Sequence, residues 1–191
     1  MNYSETELGD IFGSVGKNVN VDKSCIILGG NRIHIGSSVR IDCFCLLSAG
    51  EQGILIGDYV HIAAGCYLFG SGGRIRMDDF SGLSARVSLF TSSDDYLLGY
   101  MTNPTVPEKY KRVTRGDIVL NKHALVGSGS IVMPCTLGVA ASVGALSLVS
   151  KNVADFDVVR GSPAIKVASR RRNILDLERQ LREETKALSS E

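Results

Sequence analysis

The chain has 191 residues, with 21 Lys and Arg against 20 Asp and Glu, for a formal net charge of +1. That balance gives no electrostatic basis for binding nucleic acid, and no apolar run reaches membrane-spanning length, so membrane insertion is not expected. The polar start from Met1 to Asp10 lacks the basic and apolar regions of a secretory signal, which makes the cytoplasm the expected location.

Residues 1–14 read as an entry segment, helical from Glu5 to Phe12, placed to cover the open end of a repeat core. From Val15 onward, eighteen hydrophobic residues fall on a six-residue beat: Val15, Val21, Ile27; Ile35, Ile41, Leu47; Ile56, Ile62, Leu68; Met77, Leu83, Leu89; Leu120, Val126, Val132; and Leu137, Val143, Val149. A small or β-branched companion often follows four residues later, as at Val39, Cys45, Val60, Cys66, Ala124 and Ser130. A period of six fits neither one amphipathic helix nor one alternating strand; it is a repeat. Its physical reading is a triangular coil in which three short strands make a turn and each sends an aliphatic residue inward. Turns stacked at about 4.8 Å give a prism on the order of 30 Å long. Between triplets the step is eight, nine, nine, thirty-one and five residues, so the insertions recur at one corner.

Ile35-Gly36, Ile56-Gly57-Asp58-Tyr59-Val60, Val126-Gly127-Ser128-Gly129-Ser130 and Val143-Gly144-Ala145-Leu146-Ser147 carry this repeat best. In these segments the chain resembles the hexapeptide-repeat acyltransferases. The resemblance implies an all-β, left-handed parallel β-helix of about six coils over residues 15–169, with a long protruding loop and a C-terminal α-helix. It also implies acetyl-CoA as acyl donor, a homotrimer, and sites built between prisms.

Within the repeat, Cys25, Cys45 and Cys66 hold the small companion position in three successive turns, and Cys43 and Cys135 fall elsewhere. No Cys-x-x-Cys pair occurs, so packing explains them better than disulfide or zinc chemistry. Gly70-Ser71-Gly72-Gly73 lies at the insertion corner and lacks the Gly-Lys-Ser or Gly-Lys-Thr of a phosphate-binding loop, so it reads as a turn. His34 is in an early turn and reads as structural. His61 precedes an inward aliphatic and points outward; it is either an exposed sheet residue or, as the resemblance implies, part of an acceptor pocket. His123 sits at a corner, which favours a turn residue over a catalytic one. No close histidine pair exists, so no metal is expected.

The excursion at 90–116 is too long for a compact repeat unless it has a function. It carries Tyr96, Tyr100, Pro104, Pro107 and Tyr110 as anchors. In the sugar O-acetyltransferases of the resembled family, a loop here opens with Thr-x-Gly-His and supplies a base. This chain reads Phe90-Thr91-Ser92-Ser93-Asp94-Asp95-Tyr96, with Asp94 at the histidine position. The resemblance therefore implies His61 and Asp94 as catalytic candidates, with Ser93, Asp95 and Tyr96 contacting the acceptor. An amine acceptor needs a base less than an alcohol does, which suits the missing histidine.

For the donor, the resemblance implies Ser128, Ala145, Ser150 and Lys151, followed by Lys166. Small side chains leave room for the pantetheine arm, and lysine offers a point charge to phosphate. From 170 to 191, Ile174, Leu177, Leu181 and Leu188 recur at helical spacing among alternating charges, as in an amphipathic helix for packing or self-association. The expected activity is acetyl transfer from acetyl-CoA to an amino or hydroxyl group of a sugar, linked to a nucleotide and destined for a surface polysaccharide. The alternatives are an O-acetyltransferase for a simple sugar or serine, and a non-catalytic trimeric sugar-binding scaffold.

Overall fold

A computed structural model describes residues 1–188. The six-residue beat becomes a parallel β-solenoid of about six turns with three walls. The first wall runs Ser14–Val15, Ile33–Ile35, Ile54–Ile56, Ile75–Met77, Ile118–Leu120 and Cys135–Leu137. In the second wall Arg40, His61 and Gly82 pair in register on successive strands. On the third, Leu46–Ser48, Tyr67–Phe69 and Ser88–Phe90 follow one another.

Backbone donors and acceptors of one turn are satisfied by the next, leaving the side chains to fill one continuous core. The expected aliphatics from Val21 to Val149 are buried there, with Val15 and Ile27 partly so. A further inward column was not on the beat: Ile33, Ile54, Ile75, Ile118 and Cys135 lie two residues before the expected position and pair turn by turn. Cys135 thereby finds its place, and the short five-residue step costs no register, because Leu137 pairs with Leu120.

Both ends are closed. α1 (Glu5–Ile11) starts at a capping box in which the Ser4 hydroxyl accepts from the Glu7 amide and the Glu7 carboxylate accepts from the Ser4 amide. It buries Leu8 and Phe12 over the first turn. After Val149 the chain adds Asp157–Arg160 to the second wall and folds Ile165–Ser169 back on it antiparallel, a closing element the beat did not announce.

At the first corner Asn18, Ser38, Tyr59, Phe80, His123, Ala140 and Phe156 all take positive φ. This left-handed region is costly for residues other than glycine, and here backbone bonds between turns hold it: Tyr59 N–H donates to Ser37 at 2.9 Å and Phe80 N–H to Asp58 at 2.9 Å. One outward direction per turn stacks the rings of Tyr59 and Phe80 at 4.7 Å and of Phe80 and His123 at 4.9 Å. At the next corner Cys25, Cys45 and Cys66 stack inward, their thiols donating to the carbonyls of Asp42, Ala63 and Ser84.

Because Ile75 is fully buried with a column neighbour on either side, Ile75→Ala should cost about 2–5 kcal/mol. A clear drop in the thermal midpoint would show it; an unchanged midpoint would contradict the continuous core.

Candidate active site

The long excursion leaves the third corner after Phe90 and returns before Ile118. Its base is a two-stranded antiparallel ribbon, Ser92–Asp94 against Val113–Arg115. Buried Thr91 ties that base to the prism by donating to the Phe69 carbonyl at 2.8 Å and accepting from the Gly72 amide at 2.9 Å. A side chain at Gly73 would strike the Gly116 carbonyl, so this corner of the Gly-Ser-Gly-Gly turn lets the returning loop close on the wall.

Asp94 is the last ribbon residue, and its Oδ2 accepts from the Asn103 amide at 2.8 Å. Asp95 is occupied within the loop: its Oδ1 accepts from the amides of Leu97 and Leu98, and Arg112 stands 3.7 Å from its other oxygen. Those two amides, helped by Arg112, hold its carboxyl below the usual range. Tyr96 is 79% exposed, at the start of an apolar stretch through Leu97 and Leu98. Ser93 and Asp94 open on a cleft of about 600 Å³ between loop and prism, whose prism side is Met133, Pro134, Leu148 and Ser150.

Ser150 also borders a second cleft of about 350 Å³ at the end of the prism, with Lys151, Pro163 and Lys166. Exposed Lys151 makes no ion pair among the described residues, whereas Lys166 Nζ is 2.6 Å from Asp157. The expected donor residues thus divide: Ser150, Lys151 and Lys166 share this end, while Ser128 and Ala145 lie at the second corner. There they line a cleft of about 880 Å³ with Phe44, Tyr67 and Leu146.

His61 is on the second wall, its side chain 52% exposed and its Nε2 2.8 Å from Asp42 Oδ2. Burial pushes the Asp42 carboxyl up, but hydrogen bonds from His61 and Arg40 outweigh it and the net shift is down. A neighbouring carboxylate on Nε2 fixes the ring's orientation and leaves Nδ1 for other work. With Tyr59, Phe80, Ser84 and Leu125, His61 lines a cleft of about 410 Å³. Within one chain, His61 and Asp94 line different clefts. His34 is elsewhere, 2.9 Å from the Ser14 hydroxyl.

No family model matches the chain. A dTDP-4-amino-4,6-dideoxy-D-glucose acyltransferase of Escherichia coli is 41% identical over 168 residues, covering 87% of either chain. The chain belongs to this acyltransferase family. Among solved structures, AntD, an N-acyltransferase from Bacillus cereus, superposes with a TM-score of 0.91 at 38% identity, over 96% of this chain and 97% of that one; that serine-to-cysteine variant holds dTDP-4-amino-4,6-dideoxyglucose and coenzyme A. Another AntD complex, with dTDP and 3-hydroxybutyryl-CoA, gives 0.90 at 37% identity, over 97% and 98%.

Membership in the family makes this chain an acyltransferase and gives meaning to neighbours of its clefts that no motif marked. Ser84 and Phe80 line the cleft of His61. The C-terminal helix α2 (Ile174–Leu188) adds Glu178 and Arg182 at the first corner, and residues 189–191 lie outside the described residues. Glu178 Oε2 is 2.8 Å from His123 Nε2, and its Oε1 accepts from Lys122 at 3.0 Å and Arg182 at 2.7 Å. His123 is 7% exposed, a corner residue held by the helix.

Burial pushes the Glu178 carboxyl up, yet the hydrogen bonds from Arg182, His123 and Lys122 prevail and bring it down to about 2. A depressed carboxylate contributes its stability above the ordinary carboxylate range and loses it as pH falls through the folded value. The attachment of α2 should therefore hold from neutrality down to about pH 4 and loosen toward pH 2. Amide exchange along Ile174–Leu188, compared with the core strands, reads this; release between about pH 7 and 5 would contradict the role of Glu178.

Proposed function

We propose that the chain transfers an acyl group from acyl-CoA to the amine of a dTDP-linked 4-amino-4,6-dideoxy sugar. The observation that carries the reading is the extent of likeness to relatives of that description: 41% identity to the acyltransferase of E. coli, and near-complete superposition on AntD with coenzyme A and the amino sugar bound. The loop agrees with it, since an aspartate replaces the base that an alcohol acceptor needs. Acetyl is the simplest group transferred; the 3-hydroxybutyryl-CoA complex of AntD shows that a relative binds a longer one.

The chemistry is a single acyl transfer. The neutral amine attacks the thioester carbonyl, a C–N bond forms, the C–S bond breaks, and coenzyme A leaves as the thiol once the proton lost by nitrogen reaches sulfur. Asp94 orients the amine through its carboxylate. His61, held by Asp42, is the candidate base, imidazole being the side chain most often used to move a proton in such a step. Ser93 and Tyr96 border the acceptor. Lys151 and Lys166 offer charge to the phosphates of acyl-CoA, and Ser150 links that end to the loop cleft.

Division of these groups between clefts supports a homotrimer in which His61 of one protomer and Asp94 of its neighbour face one acceptor. Closed threefold symmetry satisfies every such contact. Ser128 and Ala145 then face the donor from the second side. Five unpaired cysteines suit a reducing cytoplasm, where both substrates are made. No described helix is long and apolar enough to cross a membrane. The acylated sugar is a building block for a surface polysaccharide.

Thiol release from acetyl-CoA should match amide formation one to one with dTDP-4-amino-4,6-dideoxyglucose and should fail with its 4-hydroxy counterpart. Release with the hydroxyl sugar or serine instead would assign an O-acetyltransferase, and release with none would leave the scaffold.

His61→Asn should lower turnover by about 10² to 10⁴ if imidazole takes the proton during attack. Asp94→Ala should chiefly raise the acceptor KM. At acceptor concentrations too low for Asp94→Ala to work, mixed trimers of His61→Asn and Asp94→Ala chains should regain activity through sites intact in both residues; none after proven subunit exchange would end the shared-site arrangement.

A further inference from the structure

The second wall carries His61 and the first corner carries Tyr59 and Phe80, and these three side chains line one cleft with Ser84. Against that corner lies α2. Arg182 Nη2 donates to Asp79 Oδ2 at 2.7 Å, and the guanidinium carbon is 5.1 Å from the Phe80 ring centre. Asp79 passes the contact on, because its Oδ1 accepts from the Asp58 amide at 2.9 Å. Asp58 opens the segment Asp58-Tyr59-Val60-His61. A second route runs through rings: Glu178 holds His123, His123 stacks on Phe80, and Phe80 stacks on Tyr59 with only 5° between planes. Arg170, just before the helix, adds a bond from Nη1 to the His123 carbonyl at 3.0 Å.

Two chains of contact, joined at Arg182–Glu178 and at Phe80, thus lead from one turn of α2 to the backbone and rings flanking His61. The helix is attached chiefly by charge: Glu178 is almost buried among Lys122, His123 and Arg182, while Leu177 and Leu181 stay exposed. An attachment of this kind is directional, fixing side chains in place, where an apolar face would add stability without choosing a geometry.

We infer that Glu178 and Arg182 are positioning residues for the acceptor: α2 acts as a strap that sets the Tyr59–Phe80 wall and the approach to His61. The inference rests on the reading of this cleft as the acceptor site. Neither residue lines that cleft, so their loss should misplace the wall and leave the donor clefts at Ser150 and Ser128 untouched.

The test uses the full chain and compares Glu178→Gln, Arg182→Gln and Arg182→Lys with wild type, on dTDP-4-amino-4,6-dideoxyglucose and acetyl-CoA. Glu178→Gln and Arg182→Gln should raise the acceptor KM about tenfold to a hundredfold, the cost of a small misplacement. The KM for acetyl-CoA should stay within about twofold. Arg182→Lys, which keeps the charge beside Asp79, should recover most of the acceptor KM. Should Glu178→Gln fail to fold, the two Arg182 variants read the same quantity. A purely structural role would reduce the amount of active enzyme with both KM values unchanged, and that result, or equal changes in both, overturns the inference. Wild-type enzyme that acylates no amino sugar defeats the functional reading and this inference with it; an active wild type with insensitive variants defeats the inference alone.

Discussion

Register between turns is the constraint on which the rest depends. Within the six turns each strand pairs in parallel with the strand one turn away, so a position in one turn is stacked on the same position in the next. The energetic consequence is that columns, more than individual residues, are under selection for size and polarity. An inward column must be aliphatic to keep the core dry, as Ile33, Ile54, Ile75 and Ile118 are. A corner column of left-handed backbone turns its side chains outward, where Tyr59, Phe80 and His123 stack as rings. The thiols of Cys25, Cys45 and Cys66 form a buried column that must stay small.

The same register decides where chemistry can sit. Inward positions are filled and strands cannot gain a residue without losing pairing, so functional groups go to outward wall positions, to corners, or to insertions. Of the candidate residues, His61 takes the first course, Ser128 and Ala145 the second, Asp94 the third. Each wall faces a different direction, and a single prism cannot turn all of them toward one substrate. The homotrimer we propose answers that geometry by bringing a neighbour's loop to the wall that lacks it.

The parts of this molecule legible in its sequence are those written in columns. The six-residue beat names most of the core, the insertion corner and the loop. Ser4, just before the segment expected to be helical, and Glu7, within it, sit at the spacing of a helix start. The column ending in Cys135 escaped because it follows the beat at an offset of two and ends in a residue that is not aliphatic. Asp95, expected at the acceptor, borders the loop cleft and also caps the turn at Leu97 and Leu98, a local role that an aspartate in a loop takes readily and that no motif announced. The strap was illegible for a different reason: His123 meets Glu178 across 55 residues and Asp79 meets Arg182 across 103. A repeat predicts what lies one turn away and is silent about an element outside the repeat that returns to it.

Loop and helix are attached by opposite means, and the difference suits what each carries. The loop base is fixed by a backbone ribbon and a buried threonine, so Asp94 leaves the prism from a frame with few soft degrees of freedom. Past the ribbon, Tyr96, Leu97 and Leu98 are exposed and await a surface. The helix is held by side-chain charge at the first corner, next to the wall that bears His61. Backbone pairing resists displacement at every residue, whereas a charge cluster resists it at one point and yields around it. On the reading we propose, that combination suits a reaction that needs modest help with its proton but close placement of two large substrates: a fixed carboxylate on one side, and on the other a wall whose corner is held by a few charges outside the cleft.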